Sequence, residues 1–339
     1  MSVIGVLTAG GDCPGLNAVI RAVVSRAQEN HDSEVVGIMN GWEGLMNGDT
    51  RLLERKDVRG ILVRGGTILG TSRMDPYVHG DGYSSVSATL EANGIDSLIV
   101  IGGDGTLRTA LKLVEDGASV IGVPKTIDND IAATDFTFGF DTAVQIASDA
   151  IDRLTTTAEA HNRVILVEVM GRTKGWIATY AGMAAGAEAI LIPEIPYDLS
   201  EVATIIQNRH RRGKNYSIVV VGEGVEPPEK VKLAKDAFGF DRLGGVAYQI
   251  APVLEELTGF ETRVTVLGHL QRGGTPTAFD RVLATRMGAK AVDLAAEGAS
   301  GVMVAMRGAD IVSVPLAEAC SDIRGVGDEL FDVARTFFG

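Results

Sequence analysis

The sequence predicts an α/β fold in which a mostly parallel, doubly wound sheet is flanked by helices. Apolar runs of four to six residues, rich in Val and Ile, recur along the chain and are typical of strands covered on both faces. Helical patterns separate many of these runs, as in residues 16–28 and 107–114. The length of 339 residues exceeds the roughly 250–300 residues at which one hydrophobic core stops growing, so we expect two domains or lobes.

The predicted strands lie at 3–7, 35–38, 97–101, 120–123, 164–169, 217–221 and 264–267. Because crossovers between parallel strands are right-handed, the loops that follow these strands should gather at one edge, where ligands bind. Residues 328–338 carry apolar side chains at helical spacing, which predicts a helix packed against the body of the protein.

The composition and the charge exclude several kinds of protein. With 45% hydrophobic residues, most of the chain is expected to be folded rather than disordered. The 44 acidic and 31 basic residues give a net charge of −13, which repels nucleic acid and anionic membranes. We therefore expect neither as a partner, and a phosphate site would need local cations, backbone amides or a metal ion.

The cysteines and the first residues favour the cytoplasm. Two cysteines, Cys13 and Cys320, cannot form a disulfide framework and suit a reducing compartment. Residues 3–7 read as a buried strand and lack the basic segment of a secretion signal. The apolar runs are also shorter than the ~18 residues that predict a membrane-spanning helix.

Two glycine-containing turns each follow a predicted strand and precede a helix. The first, G-G-D-C-P-G at 10–15, lacks the spacing of a dinucleotide-binding fingerprint and suits either a tight turn or a phosphate-binding loop. The second, G-G-D-G-T at 102–106, would let a phosphate chain lie against the backbone. Its carboxylate, Asp104, is a suitable ligand for Mg²⁺.

A third segment, P-K-T-I-D-N-D at 124–130, follows the predicted strand 120–123. Its carboxylates, Asp128 and Asp130, are two residues apart, so both could face one site. One could accept a proton from an attacking hydroxyl group while the other helps to position a metal ion. An exposed acidic turn is the alternative interpretation.

Four arginines stand at the ends of predicted strands, namely Arg163, Arg172, Arg263 and Arg272. A single arginine in such a place is more often a solvated cap than a ligand. In so acidic a chain, four of them together with His269 would form a clamp for a sugar phosphate.

Taken in order, these motifs resemble the 6-phosphofructokinase family over about residues 1–305. The resemblance rests on G-G-D at 10–12, G-T-S-R at 70–73, G-G-D-G-T at 102–106, T-I-D-N-D at 126–130, M-G-R at 170–172, Glu223, and G-H-L-Q-R-G-G at 268–274. It implies Mg²⁺-dependent phosphoryl transfer to the 1-hydroxyl of fructose 6-phosphate, giving fructose 1,6-bisphosphate in glycolysis.

The resemblance also implies an architecture of two similar, doubly wound, mostly parallel sheets flanked by helices. Residues 1–138 and about 252–305 would bind the phosphoryl donor. Residues 139–251 and about 306–339 would bind fructose 6-phosphate. In this family, residues that match Arg163 and Arg263 reach in from a neighbouring subunit, so a homo-oligomer, either a dimer or a tetramer, is implied.

The resemblance assigns a role to each matching residue. Asp128 would be the base, Thr126 would hydrogen-bond the transferring phosphoryl group, and Arg172 would neutralise the charge developing there. Asp104 would bind Mg²⁺ with support from Asp130. The donor would be held by Gly11, Ser72, Arg73, Gly102, Gly103, Asp104, Gly105 and Thr106. Fructose 6-phosphate would be held by Thr126, Ile127, Asp128, Arg163, Met170, Gly171, Arg172, Glu223, Arg263, His269, Leu270, Gln271 and Arg272.

The identity of the phosphoryl donor depends on Gly105 and Lys125. Within this family, pyrophosphate-dependent members resemble one another in having Asp at the first position and Lys at the second, whereas typical ATP enzymes have Gly at both. This chain combines Gly105 with Lys125. We expect ATP, because Gly105 leaves room for the α-phosphate and the nucleoside. Pyrophosphate is the alternative, since Lys125 could pair with it in that space.

Two other functions remain as alternatives. Several kinases that act on NAD or on lipids share G-G-D-G-T, but that motif alone explains neither T-I-D-N-D nor G-H-L-Q-R-G-G. A regulatory subunit that binds sugar phosphate without turnover is the non-enzymatic alternative. The presence of Asp128, Asp104, Thr126 and Arg172 favours an active enzyme.

Overall fold

The computed structural model describes residues 2–228 and 244–339. Its strands are β1 (Val3–Thr8), β2 (Glu34–Ile38), β3 (Thr50–Leu52), β4 (Ser97–Gly102), β5 (Val120–Thr126), β6 (Phe138–Gly139), β7 (Val164–Val169), β8 (Ala189–Leu191), β9 (Ser217–Gly222), β10 (Thr262–Val266), β11 (Val302–Arg307) and β12 (Asp310–Pro315). Its α-helices are α1 (Leu16–Asn30), α2 (Trp42–Asn47), α3 (Pro76–His79), α4 (Ser84–Ala92), α5 (Asp104–Glu115), α6 (Phe140–His161), α7 (Trp176–Ala184), α8 (Leu199–Arg211), α9 (Val246–Thr258), α10 (Ala278–Ala296), α11 (Leu316–Ala319) and α12 (Asp328–Arg335). Short 3-10 helices occupy Ile61–Val63 and Gly268–Arg272.

The chain divides into two compact units, each with its own sheet. Unit 1 consists of Met1–Thr142 and Arg272–Arg324, and unit 2 consists of Ala143–Gln271 and Gly325–Gly339. The predicted α/β class, with two mostly parallel sheets flanked by helices, is confirmed.

The sheet of unit 1 has the strand order β12-β11-β5-β4-β1-β2-β3, with β6 added beside the end of β5. Its pairs are parallel except for the edge pairs β2–β3 and β11–β12. Strand β1 lies between β2 on one side and β4 on the other. The direction of winding therefore reverses there, and the crevice beyond the carboxyl ends of β1 and β4 is the usual place for a ligand in such a sheet.

The sheet of unit 2 has the order β10-β7-β9-β8, and its pairs are all parallel. Every residue of β7 and β9 is buried, as is every residue of β4 in unit 1. This burial on both faces explains why these strands are continuous runs of Val, Ile and Leu rather than alternating patterns. Strand β10 lies at the edge and is only partly buried.

The boundaries of the two units differ from the predicted boundaries at 252 and 305. Helix α9 packs against α8, and Leu254 lies in the hydrophobic core of unit 2, so the chain up to Gln271 stays in that unit. The hairpin β11–β12 extends the sheet of unit 1, because Val302 pairs with Ile121 of β5. The second part of unit 1 consequently runs to Arg324.

The predicted C-terminal helix is α12, which is shorter than the predicted segment 328–338. Phe331 and Ala334 are buried, and the ring of Phe331 meets that of Phe338 edge-on. Phe337, which the spacing also placed on the packed face, is exposed because the helix ends at Arg335. Among the described residues, the structure contains no helix that is both long and apolar enough to cross a membrane.

Replacing Gly288 with alanine should destabilise the protein. Helices α1 and α10 pack closely, and a Cβ atom at Gly288 would lie 2.8 Å from the carbonyl oxygen of Val19. In an exposed helix this substitution raises stability, but here the backbone has to shift, and overpacking costs about 1–3 kcal/mol of unfolding free energy. Thermal unfolding should show a lower Tm for Gly288→Ala, whereas Val282→Ala, at an exposed position of the same helix, should match the wild type. A Tm at or above that of the wild type for Gly288→Ala would contradict this packing.

Candidate functional site

The turn between β1 and α1 is built around Gly11. A Cβ atom at this position would overlap the guanidinium group of Arg272, so a larger residue would require that side chain to move away from the turn. The Nε atom of Arg272 is buried and has no hydrogen-bond partner within residues 2–228 and 244–339. The carbonyl oxygen of Gly11 accepts a hydrogen bond from the ammonium group of Lys125. Two cations therefore lie beside one turn of an acidic chain, which suits the binding of a phosphate group.

The segment with Ser72 and Arg73 lies against the same turn. The Gly10 N–H donates to the carbonyl oxygen of Ser72 at 3.1 Å, and the Thr71 hydroxyl donates to the carbonyl oxygen of Gly10 at 2.6 Å. The Ser72 hydroxyl is buried without a hydrogen-bond partner in the described part of the chain, and Arg73 is exposed. Three predicted donor-binding residues, Gly11, Ser72 and Arg73, are thus held in one place.

The Gly102–Thr106 segment leaves β4 and starts α5. The Thr106 side chain occupies the space beside Gly102, where a Cβ atom would overlap it. Asp104 is the first residue of α5, and both of its carboxylate oxygens accept from the Nε of Arg108, at 2.9 and 3.0 Å. Gly105 is exposed, and a Cβ atom there would meet no other atom of the described residues within 4 Å. The space above Gly105 is open.

Lys125 is buried in β5, with 4% of its surface exposed. Burial lowers the pKa of its ammonium group, because the charged form loses hydration. The hydrogen bond to Gly11 directs this ammonium group toward the β1 turn. The structure therefore places both predicted determinants of donor choice, Gly105 and Lys125, at the carboxyl edge of the same sheet.

Asp128 lies just beyond the end of β5 and is 7% exposed. Its N–H donates to the hydroxyl oxygen of Thr126 at 3.0 Å. The next residue, Asn129, has a φ of 50° and is fixed by the Thr137 N–H, which donates to its side-chain oxygen at 3.0 Å. Ile127 is buried, with 3% of its surface exposed, so its side chain contributes to the core rather than to an open site.

Asp130 completes a group of three neighbouring carboxylates with Asp128 and Asp104. Burial, and then the charges of Asp128 and Asp104, raise the pKa of Asp130 to about 7, although a hydrogen bond from Thr126 opposes the rise. Within the described residues, no group of three or more Asp, Glu, His or Cys side chains is close enough to hold a metal ion alone. This donor set fits Mg²⁺, which needs only one or two carboxylates when substrate phosphates supply its other ligands.

In unit 2, the Met170–Arg172 turn after β7 packs against the turn after β9. The Arg172 N–H donates to the Glu223 carboxylate at 3.0 Å, and the Glu223 N–H donates to the carbonyl oxygen of Val169 at 2.8 Å. Gly171 has a φ of 138°, which strongly favours glycine. Adjacent parallel strands thus bring the predicted residues Gly171, Arg172 and Glu223 together.

The Gly268–Arg272 segment contains predicted substrate residues in different environments. Gln271 is fully buried, donates to the carbonyl oxygen of Gly268 at 3.1 Å and accepts from the Met170 N–H at 3.3 Å. This side chain therefore positions the segment against Met170 instead of facing solvent. His269 is exposed, and Leu270 is 70% exposed.

Arg163 and Arg263 lie at the amino ends of β7 and β10, whereas Met170 and His269 follow the carboxyl ends of those strands. The six residues of β7 span roughly 20 Å at about 3.3 Å per residue. The structure therefore does not bring these two arginines to the other predicted sugar-phosphate residues of unit 2. Both arginines instead contact Glu261.

Sequence reasoning did not identify the residues that support these turns. Asn17, on the first turn of α1, donates to the carbonyl oxygens of Arg64 and Gly65 and accepts from the Ile68 N–H at 2.9 Å. It anchors the chain that leads to Ser72. A polar side chain on the apolar face of a predicted helix was the available signal.

Glu168 is a second support that the sequence analysis missed. It is buried within β7, and its carboxylate accepts from the N–H groups of Gly245 at 2.6 Å and Ala247 at 2.9 Å. This interaction caps α9 and satisfies N–H groups that have no partner within the helix. An acidic residue inside an otherwise apolar strand was the signal.

The chain is similar to known proteins along nearly its whole length. The sequence model of the Phosphofructokinase family matches residues 3–295. A protein of Amycolatopsis methanolica named pyrophosphate–fructose 6-phosphate 1-phosphotransferase is 55% identical over 341 residues, covering 99% of each chain. A protein of Streptomyces coelicolor named ATP-dependent 6-phosphofructokinase 3 is 52% identical over 336 residues, covering 98% of each chain.

The fold is similar to that of phosphofructokinases of known structure. The crystal structure of Pichia pastoris phosphofructokinase in the T-state superposes with a TM-score of 0.84 at 34% identity. The match covers 99% of this chain and 38% of that longer chain. From the family match, the two full-length relatives and this structural similarity, the chain belongs to the phosphofructokinase family.

Proposed function

We propose that the protein transfers a phosphoryl group from ATP to the 1-hydroxyl of D-fructose 6-phosphate, giving fructose 1,6-bisphosphate. The observation that carries this proposal is the convergence of two glycine-containing turns with Asp128 at the carboxyl edge of the unit 1 sheet. The turns supply backbone groups and cations for the donor, and Asp128 supplies a carboxylate for the acceptor. Phosphoryl transfer requires such positioning and charge compensation more than it requires covalent chemistry from the protein.

Asp128 acts as the general base in this proposal. Its carboxylate accepts the proton of the 1-hydroxyl group as the hydroxyl oxygen bonds to the transferred phosphorus and the bond to the leaving phosphate oxygen breaks. Thr126 donates a hydrogen bond to the transferring group. Arg172 compensates the negative charge that develops on it.

Asp104 and Asp130 are the residues that would hold Mg²⁺. Bound there, Mg²⁺ would neutralise charge on the donor phosphates. Asp104 has to release Arg108 to become a metal ligand, and this ion pair is weak because the side chain of Arg108 is 46% exposed. Arg272 and the ammonium group of Lys125 compensate further negative charge beside the β1 turn.

The sugar phosphate is held in this proposal by Met170, Glu223 and His269, together with arginines of a neighbouring subunit. The length of β7 supports this sharing, because Arg163 lies at the opposite end of the strand from Met170. If both ends contact one substrate, the contacts must come from different copies of the chain. A homodimer or homotetramer follows from that requirement.

ATP is favoured as the donor by the open space above Gly105. A nucleotide needs room beyond its β-phosphate, and no atom of the described residues would lie within 4 Å of a Cβ atom there. Lys125 leaves this space clear, since its ammonium group is bonded to Gly11.

Pyrophosphate is the second candidate donor. The position of Lys125 beside the β1 turn favours it, because the ammonium group could pair with a terminal phosphate. The protein of Amycolatopsis methanolica is named as a pyrophosphate enzyme, which is consistent with this alternative.

Initial rates with fructose 6-phosphate and Mg²⁺ should show turnover with ATP and little with pyrophosphate.

Gly105→Asp should abolish the ATP reaction, because its carboxylate would fill the open space and repel the α-phosphate, while the fold tolerates the added side chain. Lys125→Gly should lower ATP turnover by no more than about 10- to 100-fold, because its ion-pairing contribution is about that of one charge-assisted hydrogen bond. Turnover with pyrophosphate but not with ATP would reverse this assignment.

Replacing Asp128 with asparagine should reduce kcat by about 10²- to 10⁴-fold, the usual contribution of a general base. The amide preserves the shape of the carboxylate but cannot accept the proton. Binding of fructose 6-phosphate, measured by titration calorimetry, should stay close to that of the wild type. Nearly normal kcat in this variant would remove Asp128 as the base.

Subunits that carry Arg163→Ala should complement subunits that carry Asp128→Asn. Each variant alone lacks one component of every shared site, but a mixed oligomer contains sites in which both components are intact. Random mixing in co-expressed enzyme should restore about a quarter of the sites if each site is built from two subunits. Activity at low fructose 6-phosphate should therefore exceed the sum of the two homo-oligomers. Purely additive activity would indicate that Arg163 serves no neighbouring site.

A further inference from the structure

Glu261 lies between the two arginines that the proposed function assigns to a neighbouring sugar phosphate. The Nε atom of Arg163 is 2.8 Å from one carboxylate oxygen of Glu261, and the guanidinium group of Arg263 contacts the other oxygen. The hydrogen bond from Arg163 is the main reason that the pKa of Glu261 lies below its usual range. The carboxylate is therefore ionised at neutral pH and shared by two cations.

The backbone fixes this arrangement. Strands β7 and β10 pair in parallel, with Thr262 opposite Val164, and the Val164 N–H donates to the carbonyl oxygen of Glu261 at 3.0 Å. Arg163 directly precedes β7, and Glu261 directly precedes β10. The register of the sheet thus sets the acid beside both arginines.

We propose that Glu261 is an internal competitor for the sugar phosphate and thereby sets the affinity for fructose 6-phosphate. This inference rests on the proposed function, in which Arg163 and Arg263 bind the phosphate at a neighbouring subunit's site. A carboxylate that places one oxygen on each guanidinium group makes the same pattern of charge-assisted hydrogen bonds as a phosphate group. The two anions cannot occupy that position together, so substrate binding requires Glu261 to move away from at least one arginine.

Displacing Glu261 costs the same free energy for every anion that binds the two arginines. A phosphate dianion can meet this cost at an exposed cluster, because it gains more from two guanidinium groups than the carboxylate monoanion loses. A sugar without phosphate, or one with a single negative charge, gains less from the arginines. Glu261 therefore lowers the affinity for each anion by the same factor, and the phosphorylated sugar still binds most tightly.

The decisive variant is Glu261→Gln, which keeps the shape and one acceptor oxygen but removes the charge. Titration calorimetry with fructose 6-phosphate on the full-length enzyme should give a Kd about 1.5- to 5-fold lower than that of the wild type, from the usual strength of exposed ion pairs. This difference in Kd between the variant and the wild type should become smaller as the salt concentration rises. Glu256→Gln removes the same charge from an exposed position on α9, and its Kd should equal that of the wild type.

An unchanged or higher Kd for Glu261→Gln would overturn the competition, and a higher Kd would mean that Glu261 orients the arginines for substrate. Arg163→Ala separates this inference from the proposed function. In the wild-type background it should raise the Kd about 10- to 100-fold, as the loss of a charged hydrogen bond does. If Arg163→Ala raises the Kd while Glu261→Gln does not lower it, only the competition proposal is overturned. If Arg163→Ala leaves the Kd unchanged, the arginine has no part in binding, and both proposals are overturned.

Discussion

The close approach at Gly11 is the contact around which the candidate site of unit 1 is arranged. The guanidinium group of Arg272 lies where any side chain at position 11 would be, and Lys125 donates to the carbonyl oxygen of the same residue. Three segments that are far apart in sequence therefore meet at one point. Since the whole chain carries a net charge of −13, this local pair of cations would offset the repulsion of an anionic substrate at the crevice beside β1.

Burial near that crevice disfavours the charged forms of two side chains, and bound substrates would favour these charged forms again. The pKa of Lys125 falls and that of Asp130 rises to about 7, in both cases chiefly because the charged form loses hydration. The charges of Asp128 and Asp12 raise the pKa of Lys125 but do not offset the effect of burial. A phosphate beside Lys125 and a cation beside Asp130 would each restore the charged form. At the proposed site, the donor and the metal ion would thus supply the interactions that favour both charged forms.

The sequence predicted the parts of the fold that local patterns specify. Seven apolar runs became strands, but β3, β6 and β8 were missed because two or three residues are too short to show a period. The end of β5 was placed at residue 123, since Pro124 and Lys125 interrupt the apolar pattern, yet the strand continues to Thr126. The hairpin β11–β12 was also missed. Strand β12 lies at the edge and is mostly exposed, so it shows no continuous apolar run, whereas the apolar run of β11, with three consecutive buried residues, was overlooked.

The candidate site could be predicted where the functional side chains and the turn that positions them belong to one short segment. The glycine turns and the Thr126–Asp130 segment are of this kind. Glu168, Asn17 and Glu261 were not found, because their partners lie many residues away and depend on sheet register. For the same reason, sequence reasoning treated Gln271 as a substrate ligand, although its amide is used within the protein.

The placement of the arginines in unit 2 follows from the direction of its strands. In a parallel sheet, residues that precede strands gather at one edge and residues that follow strands gather at the other. Arg163 and Arg263 precede or begin β7 and β10, while Arg172 and His269 follow these strands. No side chain spans the roughly 20 Å between the two edges. A substrate held by both sets must therefore lie between two copies of the chain, and the edge with the two arginines is free to carry an additional acid, Glu261, that adjusts the affinity of the neighbouring copy.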